Sequence, residues 1–317
     1  MNKNEVFLPV IIAFSISVLI SPILIPYLKK LKFGQFVRGD GPESHLKKSG
    51  TPTMGGLIIL LSIVITSLIY IKEYPDMIPV LFATLGFGIV GFFDDYIKVV
   101  MKRSMGLLPW QKFVGQLIVT GIFAYYIHEY TDLGNSMYIP FMDVWVDAGR
   151  LYYPIMFCTM IGTVNGANFT DGLDGLASSV TVLIAVFFSV VSIGSNSDVM
   201  PICCATVGSL LGFLVYNVYP ARVFMGDTGS LALGGFVAST AYVLKMPLII
   251  ILVAFIYFVE VISVIIQVVY YKKTKKRFFR MAPIHHHLEL CGWPETKVVA
   301  IFSIITAMLC MVGMLAI

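Results

Sequence analysis

Apolar residues run in long blocks along this chain, and polar residues gather in short stretches between them. A bilayer core about 30 Å thick takes about 20 residues of helix at 1.5 Å each, so blocks of that length bounded by charges, Gly or Pro predict membrane spans. Ten are expected: Glu5 to Leu28, Thr53 to Ile71, Met77 to Phe93, Gln111 to His128, Tyr152 to Asn168, Leu176 to Ile193, Met200 to Val218, Ser230 to Leu244, Leu248 to Tyr271 and Lys297 to Ile317. The runs lack the period-two alternation of a porin-like barrel. The first block is too long for a signal-peptide core and no small-residue cleavage site follows, so it is expected as a retained helix. The pattern predicts an all-α integral membrane protein with ten transmembrane helices and, without repeat or linker, one domain over 1–317.

Composition agrees. Of 317 residues, 58% are hydrophobic and 13% charged, against about 25% charged in soluble domains. That excludes a soluble α/β enzyme, a disordered tail and a disulfide scaffold. Eighteen of the 22 Lys and Arg fall in the odd-numbered loops, leaving Lys3, Lys72, Arg150 and Lys245 on the other side. Cytoplasmic loops carry the positive excess, so both termini are expected outside and the odd loops inside. The five cysteines have no metal-type spacing and are expected as free thiols.

The acidic residues divide by side. Glu73, Asp76, Glu129, Asp132, Asp143, Asp147 and Asp198 occupy short outer loops and are expected to be solvated. On the inner side, Asp94 and Asp95 follow an apolar run, Asp171 and Asp174 lie in Asn165-Gly-Ala-Asn-Phe-Thr-Asp-Gly-Leu-Asp-Gly175, and Asp227 lies in Phe224-Met-Gly-Asp-Thr-Gly-Ser230. Each stretch alone reads equally as turn and N-cap chemistry. Five carboxylates where three helices meet one interface are costly unless solvated, paired or bound to a cation. A shared cation is the economical reading, and oxygen ligands favour Mg²⁺ over zinc. Lys98, one helical turn from the Asp pair, suits a phosphate oxygen or an ion pair. Helix starts near Leu173 and Ser230 would add backbone N–H groups for phosphate.

The last inside loop opens on six cations between Lys272 and Arg280, a positive-inside anchor with affinity for anionic headgroups. His285, His286 and His287 follow. Adjacent helical residues point about 100° apart, so the three cannot share one zinc ion, and donation to a diphosphate is the better reading. In the first inside loop, Lys47-Lys48-Ser-Gly-Thr-Pro-Thr53-Met-Gly-Gly56 also reads as a simple helix start. Glu260 and Gln267 lie within the ninth block, seven residues apart and so on nearly the same face. A Glu at that depth is expected to be paired or functional.

Together these motifs resemble one family. Thr51-Pro-Thr-Met-Gly-Gly56, Asp94-Asp95-x-x-Lys98, Asn168-x-Thr-Asp171-Gly-Leu-Asp174-Gly, Asn217 ahead of Phe224-Met-Gly-Asp227, and Ala282-Pro-Ile-His-His-His287-x-Glu289 are similar to the phospho-N-acetylmuramoyl-pentapeptide transferases (MraY) of the polyprenyl-phosphate N-acetylhexosamine-1-phosphate transferase superfamily. The resemblance implies a bacterial, multi-pass cytoplasmic-membrane enzyme of peptidoglycan synthesis, its site on the cytoplasmic face. UDP-MurNAc-pentapeptide and undecaprenyl phosphate would give lipid I and UMP with Mg²⁺. It also implies a homodimer, inhibition by nucleosides of tunicamycin or muraymycin type that mimic the UDP-sugar, and no nucleic-acid partner.

The resemblance further implies residue roles. Asp227 would ligate Mg²⁺, with Asp94, Asp95 and Asp171 nearby, and Asp94 would accept the lipid phosphate's proton or else serve the metal. Lys48 (with Lys47 as substitute), Lys98, Lys112 and His286 would contact phosphates. Asn217 and Phe224, with Asp174 and Gly172, would hold the nucleotide side, the Phe224 ring facing uracil, and Asn168 and Asp171 would also bind substrate. Gln267, His285, His287 and Thr53 complete the substrate set. Direct attack and a covalent phospho-Asp both remain open. The competing enzyme reading is a UDP-GlcNAc:polyprenyl-phosphate GlcNAc-1-phosphate transferase. The competing class is a membrane transporter, which would concentrate ionisable groups at mid-membrane in two related halves.

Overall fold

A computed structural model describes residues 3–30, 48, 50–101, 106–131 and 133–317. Lys32, Arg38, Lys47, Lys102, Arg103 and Asp132 lie outside the described residues.

Each of the ten apolar blocks falls on a long helix: α1 (Lys3–Lys30), α2 (Gly56–Tyr70), α3 (Met77–Val100), α4 (Pro109–Tyr130), α5 (Tyr152–Thr170), α6 (Leu176–Gly194), α7 (Met200–Asn217), α8 (Gly226–Val243), α10 (Phe255–Thr274) and α12 (Glu295–Met314). Between them lie two short helices, α9 (Ile250–Val253) and α11 (Ile284–Leu290). Six helices, α1, α3, α6, α7, α10 and α12, are long and apolar enough to cross a membrane by length and composition. The chain is a nearly all-α membrane protein.

Two features depart from the expected pattern. The ninth block is not one helix: a 3-10 turn at Pro247–Ile249 and the single turn of α9 precede a break at Ala254, and α10 starts afresh. An antiparallel hairpin also stands between α4 and α5, pairing β1 (Ser136–Ile139) with β2 (Val144–Asp147) in the register Ser136 to Asp147. Four-residue strands are too short to show a period in a chain dominated by apolar blocks.

Helix α8 is the core of the fold. It is buried on every side from Thr228 to Val243, and α3 and α5 make its largest contacts. Small residues let backbones approach closely there. A Cβ on Gly91 of α3 would stand 2.1 Å from the Asp227 carbonyl oxygen, and one on Gly56 of α2 would stand 2.1 Å from the Gly229 nitrogen. These contacts bring the C-terminal part of α3, with Asp94 and Asp95, against the first turn of α8.

Candidate active site

The Thr-Pro-Thr stretch is not the start of a helix. Pro52 accepts the Phe224 N–H at 2.8 Å, while Gly55 and Gly56 donate to the carbonyls of Phe224 and Met225 at 2.8 Å each. The segment ahead of α2 is thus stitched to the loop that leads into α8, and buried Thr53 lies beside Gly226. Helix α8 begins at Gly226, ahead of the expected Ser230, so Asp227 stands in its first turn.

Asp95 closes this helix start. Its Oδ1 accepts the Asp227 N–H at 3.2 Å, and its Oδ2 accepts the Thr228 N–H at 2.8 Å and the Thr228 hydroxyl at 2.6 Å. A carboxylate at this position satisfies free N–H groups and meets the positive end of the helix.

Asp227 is the hub. Lys112 and Lys98 reach its Oδ2 at 2.9 and 3.0 Å, and the Asn168 amide donates to its Oδ1 at 3.0 Å. Lys98 also lies 2.5 Å from Asp94 Oδ2, and the Leu107 N–H donates to Asp94 Oδ1 at 2.8 Å. Lys112 donates to Asn168 Oδ1 at 3.1 Å, and Asn168 to Ser230 Oγ at 2.8 Å. Burial works against the Asp227 charge, but Lys112, Asp94 and Lys98 hold its carboxyl well below the ordinary range. Burial and the negative charges of Asp227 and Asp95 push the Asp171 carboxyl up.

One oxygen each from Asp94, Asp95 and Asp227 lies within 4.8 Å of the other two, an all-oxygen group that fits a hard cation. Asp171 stands outside that trio and accepts from the Gly226 backbone. Three carboxylates face two ammonium groups, an arrangement whose remaining negative charge a dication would offset.

Lys48 is held between two carboxylates. Its Nζ lies 2.6 Å from both Asp174 Oδ1 and Glu295 Oε1, and Glu295 also accepts the Asp174 N–H at 2.6 Å. Asp174 Oδ2 accepts the Ala221 N–H at 2.9 Å. Burial lowers the Lys48 pKa, yet the hydrogen bonds and charges of Asp174 and Glu295 outweigh it and leave it raised. Glu295, the first residue of α12, is a site residue the motifs do not mark. Its only signal is an acid just after Pro294, which reads as ordinary helix-start chemistry.

Several expected binding residues are tied into the scaffold. Asn217 is buried, accepting from Ser178 Oγ at 2.8 Å and donating to the Val223 carbonyl at 3.0 Å. Gln267 accepts the Phe278 and Phe279 N–H groups at 3.1 and 2.9 Å and donates to the Phe279 carbonyl at 3.2 Å. His287 Nδ1 accepts the Arg280 N–H at 3.1 Å. His286 Nδ1 lies 2.9 Å from Glu289 Oε2. Phe224 is half-buried, its backbone held by Pro52 and Gly55.

The glycosyl transferase family 4 model matches residues 77–245, and the first phospho-N-acetylmuramoyl-pentapeptide-transferase signature matches 48–60. Proteins named phospho-N-acetylmuramoyl-pentapeptide-transferase are similar over nearly the whole chain. The one from Caldicellulosiruptor bescii is 50% identical over 98% of this chain and 97% of its own. The Clostridioides difficile protein is 50% identical over 99% and 98%, and that of Clostridium perfringens strain 13 is 47% identical over 99% and 99%. The signature spans the stitched loop and the family model spans α3 to α8, the elements that build the Asp227 cluster. The chain belongs to the phospho-N-acetylmuramoyl-pentapeptide transferase family.

Proposed function

We propose that this chain transfers phospho-MurNAc-pentapeptide from UDP-MurNAc-pentapeptide to undecaprenyl phosphate, giving lipid I and UMP in peptidoglycan synthesis at the bacterial cell membrane. The observation that carries this reading is Asp227, one carboxylate approached by two lysines and an amide with two further carboxylates beside it. Joining two phosphate-bearing anions demands charge neutralisation and positioning above all.

In this reading 1–317 is one transmembrane transferase domain of ten spans with both termini outside, its site facing the cytoplasm, and the protein is a homodimer inhibited by nucleosides that mimic the UDP-sugar. Asp227 holds Mg²⁺, with Asp94, Asp95 and Asp171 around it; the bound ion supplies charge neutralisation at the diphosphate. Lys98 and Lys112 exchange carboxylate contacts for phosphate oxygens, and His286 and Lys48 assist once their acidic partners release them. Asp94 takes the proton of the lipid phosphate. Asn168, Asp174, Asn217 and Phe224 order the nucleotide side, with Thr53 bracing the stitched loop. Gln267, His285 and His287 order the sugar–peptide side, Gln267 and His287 by fixing the 278–280 segment.

Purified protein is offered undecaprenyl phosphate and Mg²⁺ with either UDP-MurNAc-pentapeptide or UDP-GlcNAc, and UMP is measured. Release with the first donor alone is expected. Release with UDP-GlcNAc alone reassigns the donor, and release with neither refutes the reading.

A further inference from the structure

Glu260 and His285 are wholly buried, each 0% exposed. Glu260 lies in α10, and its Oε2 accepts the backbone N–H of Ile284, the first residue of α11, at 3.0 Å. Its Oε1 stands 3.0 Å from Nδ1 of His285. The first contact is ordinary capping of a helix N-terminus. The second adds direction, because a carboxylate only accepts: Nδ1 carries the proton, and in the neutral imidazole Nε2 keeps the lone pair. That Nε2 is buried with no hydrogen-bond partner. It faces Gly172, where a Cβ would stand 2.1 Å from it. The imidazole therefore rests on the backbone between Asp171 and Asp174, and its ring centroid lies 4.1 Å from that of His286. A buried acceptor with nothing to accept calls for an explanation, and a ligand that supplies the donor is one.

We propose that Glu260 is a positioning residue for the transfer reaction. It holds His285 in the Nδ1–H tautomer with Nε2 turned toward the Asp171–Asp174 segment, as acceptor for a hydroxyl or amide N–H on the sugar–peptide part of the donor. The ligand rests on the UDP-sugar reading above; the tautomer does not. Gly172 is part of the device, since any side chain there displaces the ring.

Glu260→Gln separates this role from capping. The amide oxygen still accepts from Ile284, but the amide NH₂ donates to Nδ1 and moves the ring proton to Nε2, turning an acceptor into a donor. Full-length protein labelled with ¹⁵N-histidine is examined in detergent without substrate, and initial rates are measured with UDP-MurNAc-pentapeptide. One histidine is expected to switch from the Nδ1–H to the Nε2–H shift pattern. KM for the donor is expected to rise about tenfold, as for one lost hydrogen bond, with kcat within about threefold of wild type. Gly172→Ala provides the second arm: the ring is displaced, so KM rises while the tautomer stays as in wild type. An unchanged tautomer in Glu260→Gln overturns the proposal. So does a switched tautomer with wild-type KM, or a wild-type KM in Gly172→Ala. A wild-type protein that turns over no UDP-sugar faults the donor assignment, while the nitrogen shifts still decide the tautomer.

Discussion

Removing Glu295 tests whether the Lys48–Asp174–Glu295 network holds the 171–175 loop in place. Glu295→Ala deletes two contacts of 2.6 Å, one from the Lys48 ammonium and one from the Asp174 N–H. A hydrogen bond involving a charged group is worth about 1.5–3 kcal/mol. Lys48 keeps Asp174 as a partner, and the Lys48 and Glu295 side chains are 14% and 8% exposed. The two contacts together therefore contribute about 2–3 kcal/mol after discounting for that residual solvation. Glu295→Gln keeps an acceptor for both donors and loses only the charge, at about 1 kcal/mol. The assay is thermal unfolding followed by a thiol-reactive dye. Cys203, Cys204 and Cys310 are buried free thiols that report opening, and exposed Cys158 and Cys291 are first replaced by Ser. Melting temperatures should rank wild type above Gln above Ala. A double-mutant cycle with Lys48→Met should give a coupling of about 1–2 kcal/mol. An Ala variant that melts with wild type, or a coupling near zero, refutes the reasoning.

Asp227→Asn should abolish lipid I synthesis while the protein still purifies folded; activity above a few per cent removes Asp227 from the centre of the site. Asp95→Asn should cost stability as well as turnover, about 1–3 kcal/mol for the weakened cap on α8, and unchanged melting would remove its capping role. Gly91→Ala should separate α3 from α8 and lower kcat, whereas Gly121→Ala, whose Cβ meets only Phe157 at 3.9 Å, should be neutral; equal rates for the two variants would contradict the close approach. Gln267→Ala should speed hydrogen exchange at Phe278 and Phe279, and unchanged exchange there would argue against its anchoring role.

The apolar blocks located the helices because a bilayer imposes length and composition together. The break at Ala254 was hidden because both flanks are equally apolar, and the hairpin at 136–147 because each strand is only four residues. Among site residues, Asp94, Asp95 and Asp227 stood out as charges at helix ends. Their division of labour did not: that Asp95 caps α8 while Asp227 gathers the lysines depends on contacts across more than a hundred residues of sequence. The partner of Glu260 was likewise unreadable, since His285 reaches it only after the chain leaves α10 and turns back to start α11. The carboxylate partners of Lys48 were unreadable too, since Glu295 lies 247 positions away.

On the proposed function, the Asp94–Asp95–Asp227 cluster holds a divalent ion at the donor's diphosphate. Mn²⁺ serves as a paramagnetic stand-in, its binding read by electron paramagnetic resonance on purified protein and its approach to the donor by ³¹P line broadening. Wild-type protein should bind Mn²⁺ and broaden both phosphorus lines of the bound UDP-sugar, and Asp227→Asn should lose both effects while still binding the nucleotide. Equal Mn²⁺ binding and equal broadening in the two proteins would contradict the account.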